Sequence, residues 1–514
     1  MKTILEKLEE NAKKYPNKIL FSDENNRISF KDFVLASKSL ALTLIKKGYK
    51  NQPIAVYDNR NVQTLISMFA VMYSGNFYVV IDSSSPIERI TKIYDILKPV
   101  FSVCLFDNKN VVNKLCQVED TCIFEDYFDD SLKPKTKISA SDERLLKSAM
   151  DKLISTDPAY ALFTSGSTGL PKGAIVSHLN ILSYIQWFTT QFKIGKDTIF
   201  GNQTPFYFSM SVSDIFASVY AGATFNIIPK KFFSFPVKLV EFLNDRQINT
   251  IYWVPSALCI VANIKLFDYV KPEYLQKVLF AGEVMPNKQL NYWRKHLPDV
   301  TYANLFGPTE TTDICTFYQI NREFRDDESL PIGKPCDNCH TFIVDENGKE
   351  IIEAGKAGEL YARGAFVAYG YFDNQEKTKA AFVQNPLHNH YPEIVYRTGD
   401  LVKLNQYGEY EYVGRKDFQI KHMGYRIELG EIETAASCEE KVNSAVCIYD
   451  AAKDIIVMVY EGRQKEDVLS EHLQAKVPQY MMPNLIIKVG QMPYNQNGKI
   501  DRAWLKSNYN TLIK

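Results

Sequence analysis

No stretch of this 514-residue sequence approaches the roughly 18 consecutive apolar residues that a membrane-spanning helix needs, so none is expected. The amino-terminal segment, MKTILEKLEENAKKYPNK, has no apolar core of the secretory kind and reads as a charged amphipathic helix. The expected location is the cytoplasm. Nor does either sign of charge prevail: sixty basic residues meet sixty acidic ones, for a formal net charge of +0. That balance leaves no field to hold nucleic acid or an anionic membrane surface. Nine scattered cysteines, an odd number, do not make a disulfide framework. Cys336-Asp-Asn-Cys339-His340 matches the C-x-x-C-H spacing of c-type haem attachment, but without an export signal the match reads as coincidence. No second cysteine or histidine pair stands near it to complete a zinc site. Internal repeats and low-complexity segments are missing too.

What is present is an ordinary globular composition, 46% hydrophobic and 23% charged, in a chain too long for one core. The first four hundred residues alternate strand-like runs with helical patterns, as PIAVYD does with VQTLISMFAVMYSG and TIYWVPS with ALCIVANI. That alternation predicts wound α/β sheets. From about Ile332 the texture changes to short strands between glycine turns, TFIVDENGK, GELYARG, EIVYRTGD and GEYEYVGRKD, which predict a small β-rich barrel or sheet. After Gly414 the sequence predicts a helix in IELGEIETAASC, a hairpin in SAVCIYDAAKDIIVMVYEG and a helix in VLSEHLQAKV. Residues 130–153 read as an exposed connection.

Thr164-Ser-Gly-Ser-Thr-Gly-Leu-Pro-Lys-Gly173 is the most informative decapeptide. Its glycines and hydroxyls can wrap a polyphosphate with N–H and O–H groups, and Lys172 adds charge. It follows the apolar run AYALF, so it is expected to leave a strand end. A Walker A loop, and with it a P-loop ATPase, is excluded because Gly173 rather than Ser or Thr follows the lysine. A second stretch, Pro205-Phe-Tyr-Phe-Ser-Met-Ser-Val-Ser-Asp-Ile-Phe216, contains Ser211-x-x-Asp214 before apolar residues, the pattern of a helix-capping box.

TSGSTGLPKG, NLFGPTETT (304–312), YRTGDL (396–401), GRKDFQIKHMGYRIELGEIE (414–433) and NQNGKIDR (495–502) occur in an order and spacing that resemble the adenylate-forming enzyme family. The resemblance spans essentially the whole chain. It is strongest to the amino-acid adenylation branch, which includes free-standing D-alanine–D-alanyl carrier protein ligases and nonribosomal peptide synthetase adenylation domains. It implies a large amino-terminal domain, 1–414, of two wound α/β subdomains plus a small β-barrel. A small, mobile α+β carboxy-terminal domain, 415–514, would follow.

The implied reaction joins a carboxylate to the α-phosphate of ATP, and a thiol then attacks the acyl-adenylate. Lys499 matches the family's catalytic lysine and Glu310 its Mg²⁺ carboxylate. Thr164, Ser165, Gly166, Ser167, Thr168, Gly169 and Lys172 would hold the phosphates. Asn304, Leu305, Phe306, Gly307, Pro308 and Thr309 would form the adenosine wall. Asp400 would bind the ribose, with Tyr412 and Arg415 closing over the ribose and phosphate, and Asp417 would be the hinge. Read without the resemblance, Lys499 is a turn lysine, Asp400 a turn carboxylate and Arg415 a surface cation.

An acceptor is expected in trans, because no carrier domain lies between NQNGKIDR and Lys514. GYRIELGEIE resembles the carrier-loading form, so a phosphopantetheinyl acyl or peptidyl carrier protein is expected rather than coenzyme A. The pocket carried over by resemblance comprises Ser209, Met210, Ser213, Tyr252, Leu279, Ala281, Leu305, Asp313 and Ile314. Ser209 stands where α-amino-acid enzymes of the family place the aspartate that pairs with the substrate ammonium. Ala281 replaces a bulkier cysteine of the D-alanine ligases, and Asp313 an apolar residue. Two readings remain open. Either the amine has moved to Asp313, selecting a β- or ω-amino acid, or Asp313 faces solvent or caps a turn and the acid is an uncharged hydroxy or aryl acid. D-Alanine ligation proper, an acyl-CoA synthetase or luciferase-like oxidoreductase, and a nucleotide-binding module without catalysis are the competing classes.

Overall fold

The computed structural model describes residues 2–115, 120–165, 170–416, 419–493 and 500–513. They form two compact units: Met1–Ser83, Leu97–Leu162 and Gly173–Gly414 make the first, and Ser84–Ile96, Phe163–Lys172 and Arg415–Lys514 the second.

Among the described residues the first unit is built on two wound sheets and a small antiparallel one. The largest has nine strands. Its centre is parallel, in the order Thr301–Phe306, Lys277–Ala281, Thr250–Trp253, Ile199–Asn202, Thr224–Ile227 and Ile19–Ser22. Thr316–Gln319 and Arg27–Ser29 add antiparallel strands toward its two edges. A six-stranded sheet has Pro53–Asp58, buried at every position, in its interior. Burial on both faces is why such strands read as unbroken apolar runs. The Val62–Tyr73 helix that follows is equally apolar; the Asn61 side chain accepts from Thr64 N at its start. The third sheet joins Cys339–Val344, Ala357–Gly364, Ile394–Leu404, Phe382–Gln384 and Tyr410–Arg415, and the first four strands pair antiparallel in that order. The second unit carries the hairpin Val442–Asp450/Ile455–Gly462 with Leu485–Val489 alongside, and the helices Leu429–Ser437, Glu466–Lys476 and Arg502–Asn508. No helix of the described residues is long and apolar enough to cross a membrane. Cys336 and Cys339 are not joined in a disulfide.

Two local expectations are corrected. Ser211 and Asp214 do not form a capping box. The helix runs Met210–Ala221, so both already lie inside it. The turn bonds Phe208 N to Pro205 O and Ser211 N to Phe208 O start it early, and the Ser211 hydroxyl donates back to Phe208 O at 2.7 Å instead of accepting. Residues 130–153 are not a bare connection: Ala140–Asp151 is a helix with a capping box between Ser139 and Asp142, and Leu146 and Leu153 are buried. Its abundant charges masked a narrow apolar stripe.

Candidate active site

In an open parallel sheet, side chains that meet a ligand gather at the carboxyl ends of the strands. Strand register places the expected pocket residues there together. Tyr252 pairs with Leu279, and Ala281 with Leu305. Since side chains alternate along a strand, all four share one face of the sheet. Asn304 and Phe306 belong to the opposite face. Asn304 donates to Pro331 O at 2.8 Å, and the Phe306 ring packs 5.9 Å from that of Tyr412.

Beyond Phe306 the chain turns tightly. A Cβ on Gly307 would lie 2.3 Å from Asp313 O, 2.5 Å from Ile314 Cα and 2.7 Å from Cys315 N, all of them backbone. Gly307→Ala should therefore force the 307–315 loop open. We expect a loss of about 3 kcal/mol, at the upper end for overpacking, read as a lowered denaturation midpoint together with lost activity. Within this loop Asp313 N donates to Thr311 O at 2.8 Å across Thr312, whose φ of 68° and ψ of −53° define a γ-turn of the rare, strained hand. The Thr312 hydroxyl holds the turn by donating to Phe366 O at 2.7 Å.

This turn delivers Asp313 into the core, 1% exposed. Its Oδ2 accepts from Ser213 Oγ at 2.5 Å and from the hydroxyls of Tyr184 and Tyr252, both at 3.1 Å. Ser209, which accepts from Thr309 Oγ1 at 3.3 Å, also favours the ionised form. Burial outweighs these donors and pushes the carboxyl up to about 6. The alternative in which Asp313 faces solvent is thereby excluded. Asp214, also 1% exposed, lies close enough to be raised by the Asp313 charge, and with burial the larger cause it reaches about 8. Its Oδ2 accepts from Asn202 Nδ2 at 3.0 Å.

The sequence reading missed Tyr184 and Asp214. Tyr184 lies on the His178–Gln191 helix among buried Ile181, Ile185 and Phe188, a spacing that reads only as a packing face. A buried tyrosine hydroxyl needs a partner, and that was the available signal.

Glu310 is fully buried, and its carboxylate accepts from the Tyr371 hydroxyl at 2.6 Å. Met210, Leu279, Ala281, Leu305, Pro308, Thr309 and Ile314 are buried. Asp400 lies buried on the Ile394–Leu404 strand, with its N–H donating to Thr398 Oγ1 at 3.0 Å. Thr164, Ser165, Lys172 and Arg415 belong to the second unit. There Ser165 Oγ donates to Arg426 O at 2.7 Å and accepts from Glu428 N at 3.2 Å. Gly166, Ser167, Thr168, Gly169, Asp417 and Lys499 lie outside the described residues.

Residues 8–372 match the model of the AMP-binding enzyme family. The chain belongs to that family. Among AMP-binding enzymes, it is 32% identical over 516 residues to gramicidin S synthase 2 of Brevibacillus brevis, an alignment that covers 98% of this chain but only 11% of the synthase. Of solved structures, the Vibrio cholerae adenylation domain AlmE, in complex with glycyl-adenosine-5′-phosphate, superposes with a TM-score of 0.84 at 19% identity, covering 99% of this chain and 98% of that one. Holo-PA1221, a nonribosomal peptide synthetase protein containing adenylation and PCP domains, superposes with a TM-score of 0.82 at 20% identity, covering 98% and 84%. At these identities the two superpositions establish the AMP-binding enzyme fold.

Proposed function

We propose that the protein activates a small β- or ω-amino acid as its acyl-adenylate and passes the acyl group to the phosphopantetheine thiol of a separate carrier protein. A carboxylate oxygen of the acid attacks the α-phosphorus of ATP, and the bond to the β-phosphate breaks to release pyrophosphate. The carrier thiolate then attacks the acyl carbon and AMP departs. The observation that supports this substrate class is Asp313, a buried carboxylate held by hydroxyls with no Lys, Arg or His of the described residues in contact with it. A buried anion is costly until a cation meets it, and a substrate ammonium supplies one. Ser209, at the helix start, offers no charge of its own.

The other roles follow the family motifs. Asn304 through Thr309 with Tyr412 would take the adenosine and Asp400 the ribose. Thr164 through Gly169, Lys172 and Arg415 would take the phosphates. Lys499 would bridge the two reacting anions, and Asp417 would be the pivot on which it arrives and leaves. Mg²⁺ enters with ATP. No cluster of three or more His, Cys, Asp or Glu able to hold a metal occurs among the described residues. Glu310 therefore offers a lone carboxylate, which suits Mg²⁺ that keeps its waters and binds chiefly through substrate phosphates. The ion would neutralise phosphate charge as pyrophosphate leaves.

An ATP–pyrophosphate exchange panel of D-alanine, L-alanine, β-alanine, longer ω-amino acids and benzoates tests the reading. We expect a β- or ω-amino acid to exceed both alanine enantiomers and the benzoates by about 10- to 100-fold in kcat/KM, the worth of one charge-assisted contact. A benzoate or α-alanine at the head of the panel would overturn it. Loading of holo-carrier protein in preference to coenzyme A tests the acceptor in the same preparation.

A further inference from the structure

The hydroxyls around Asp313 are more than a lining. The hydrogen bonds from Ser213, Tyr184 and Tyr252 all fall on Oδ2, and none of the three reaches Oδ1. Tyr184 Oη and Ser213 Oγ also lie 2.7 Å apart, so either can turn its one proton to the other while that partner donates to Oδ2, and the two hydroxyl oxygens and Oδ2 form a closed triangle of short contacts. The three donors come from three separate elements: the His178–Gln191 helix, the Met210–Ala221 helix and the Thr250–Trp253 strand. Such a triangle fixes the carboxylate plane more firmly than any single bond, because rotation about the Asp313 side chain would break several contacts at once.

We infer that Tyr184 and Ser213 are positioning residues for amine recognition: they tie Asp313 down through Oδ2 and leave Oδ1 for the ammonium group of the substrate. This rests on the amine-binding reading of Asp313 given above. Tyr184 belongs to none of the five family motifs, and nothing in the adenylation chemistry itself requires a hydroxyl there. Burial pushes the hydroxyls of Tyr184 and Tyr252 well above their ordinary range, so both stay protonated and serve as donors at any working pH.

The titratable groups that face Asp313 are Tyr184, Tyr252, Tyr160 and Asp214, and Cys336 faces the two tyrosines that hold it. Of these only Asp214 shares the titration range of Asp313; burial raises it to about 8, and the Asp313 charge adds a smaller push in the same direction. Each hydroxyl that donates to the Asp313 anion lowers its proton affinity. Removing one should move the ionisation upward.

The test is the pH profile of kcat/KM for the preferred amino acid in pyrophosphate exchange, measured on the full chain as wild type, Tyr184→Phe and Ser213→Ala. Wild type should lose activity on its acid side near the Asp313 ionisation, at about 6. Either variant should shift that limb upward by about half to one pH unit and raise KM for the amino acid several-fold, with KM for ATP unchanged. Thermal melts confirm folding, and Ser213→Ala serves if Tyr184→Phe does not fold. An unmoved acid limb and unchanged amino-acid KM in a folded variant would overturn the inference. If Asp313→Asn still abolishes amine activation in that case, the substrate reading survives alone. If the panel shows no preference for a β- or ω-amine, the substrate reading itself falls.

Discussion

Asp313→Val should lower kcat/KM for a β- or ω-amino acid by roughly 10²–10⁴-fold, since leaving a desolvated ammonium without its counter-charge costs about 3–5 kcal/mol. Valine also withdraws the acceptor shared by Ser213, Tyr184 and Tyr252, so Asp313→Asn is the cleaner partner. Asparagine keeps an oxygen for the hydroxyls and removes only the charge. Both variants should lose amine activation to a similar degree if charge is what matters. Exchange assays that find full activity in either would sink the assignment. The same substitution carries a stability signature of opposite sign. Burial raises the folded-state ionisation of Asp313 from its ordinary 3.8 to about 6, so its contribution to stability is full below the lower value and lost as pH rises through the higher one. Asp58, raised to about 6, and Asp214, raised to about 8, act in the same direction. The first unit should therefore weaken between about pH 4 and pH 8. Asp313→Asn should melt above wild type at pH 8 and level with it near pH 4. Function and stability would then part company at one residue, as expected where a strained site serves binding.

Much of this arrangement was legible in residue order because it follows short-range rules. The wound sheets showed as apolar runs such as PIAVYD, since Pro53–Asp58 is covered on both faces. The expected pocket residues Tyr252, Leu279, Ala281 and Leu305 fell on one face because strand alternation dictates it once the strands pair. The fate of Asp313 could not be read that way. Its partners Tyr252, Ser213 and Tyr184 stand 61, 100 and 129 residues away, and only the fold brings their hydroxyls to one oxygen. A lone carboxylate after GPTETT is equally compatible with solvent or burial until those donors are located. The capping boxes make the complementary point. Ser-x-x-Asp occurs at both 139–142 and 211–214, and only the first caps a helix. The second is overruled because Asp214 finds Asn202 in the core and the turn at Pro205–Phe208 starts the helix early.

Glu310→Gln should reduce exchange by roughly 10²–10³-fold at low Mg²⁺, the loss typical of removing one group that stabilises developing charge. The fold should tolerate the change. Glu310 is fully buried, and a glutamine amide oxygen can still accept from the Tyr371 hydroxyl, now 2.6 Å from the carboxylate. The Glu310 carbonyl, which accepts from Ala368 N at 2.8 Å, is untouched by a side-chain exchange. Two explanations of a deficit then have different signatures. If the carboxylate assists a phosphate-bound Mg²⁺, the Mg²⁺ concentration for half-maximal exchange should rise at least about tenfold in Glu310→Gln, because one anionic oxygen of few is gone. If its task is to hold Tyr371, then Tyr371→Phe should reproduce the loss and neither variant should change its Mg²⁺ demand. Titrating Mg²⁺ against exchange rate in wild type, Glu310→Gln and Tyr371→Phe separates them. We expect a shifted Mg²⁺ curve for Glu310→Gln alone; coincident curves for all three would remove Glu310 from the chemistry and leave it a buried brace for the loop that carries Asp313.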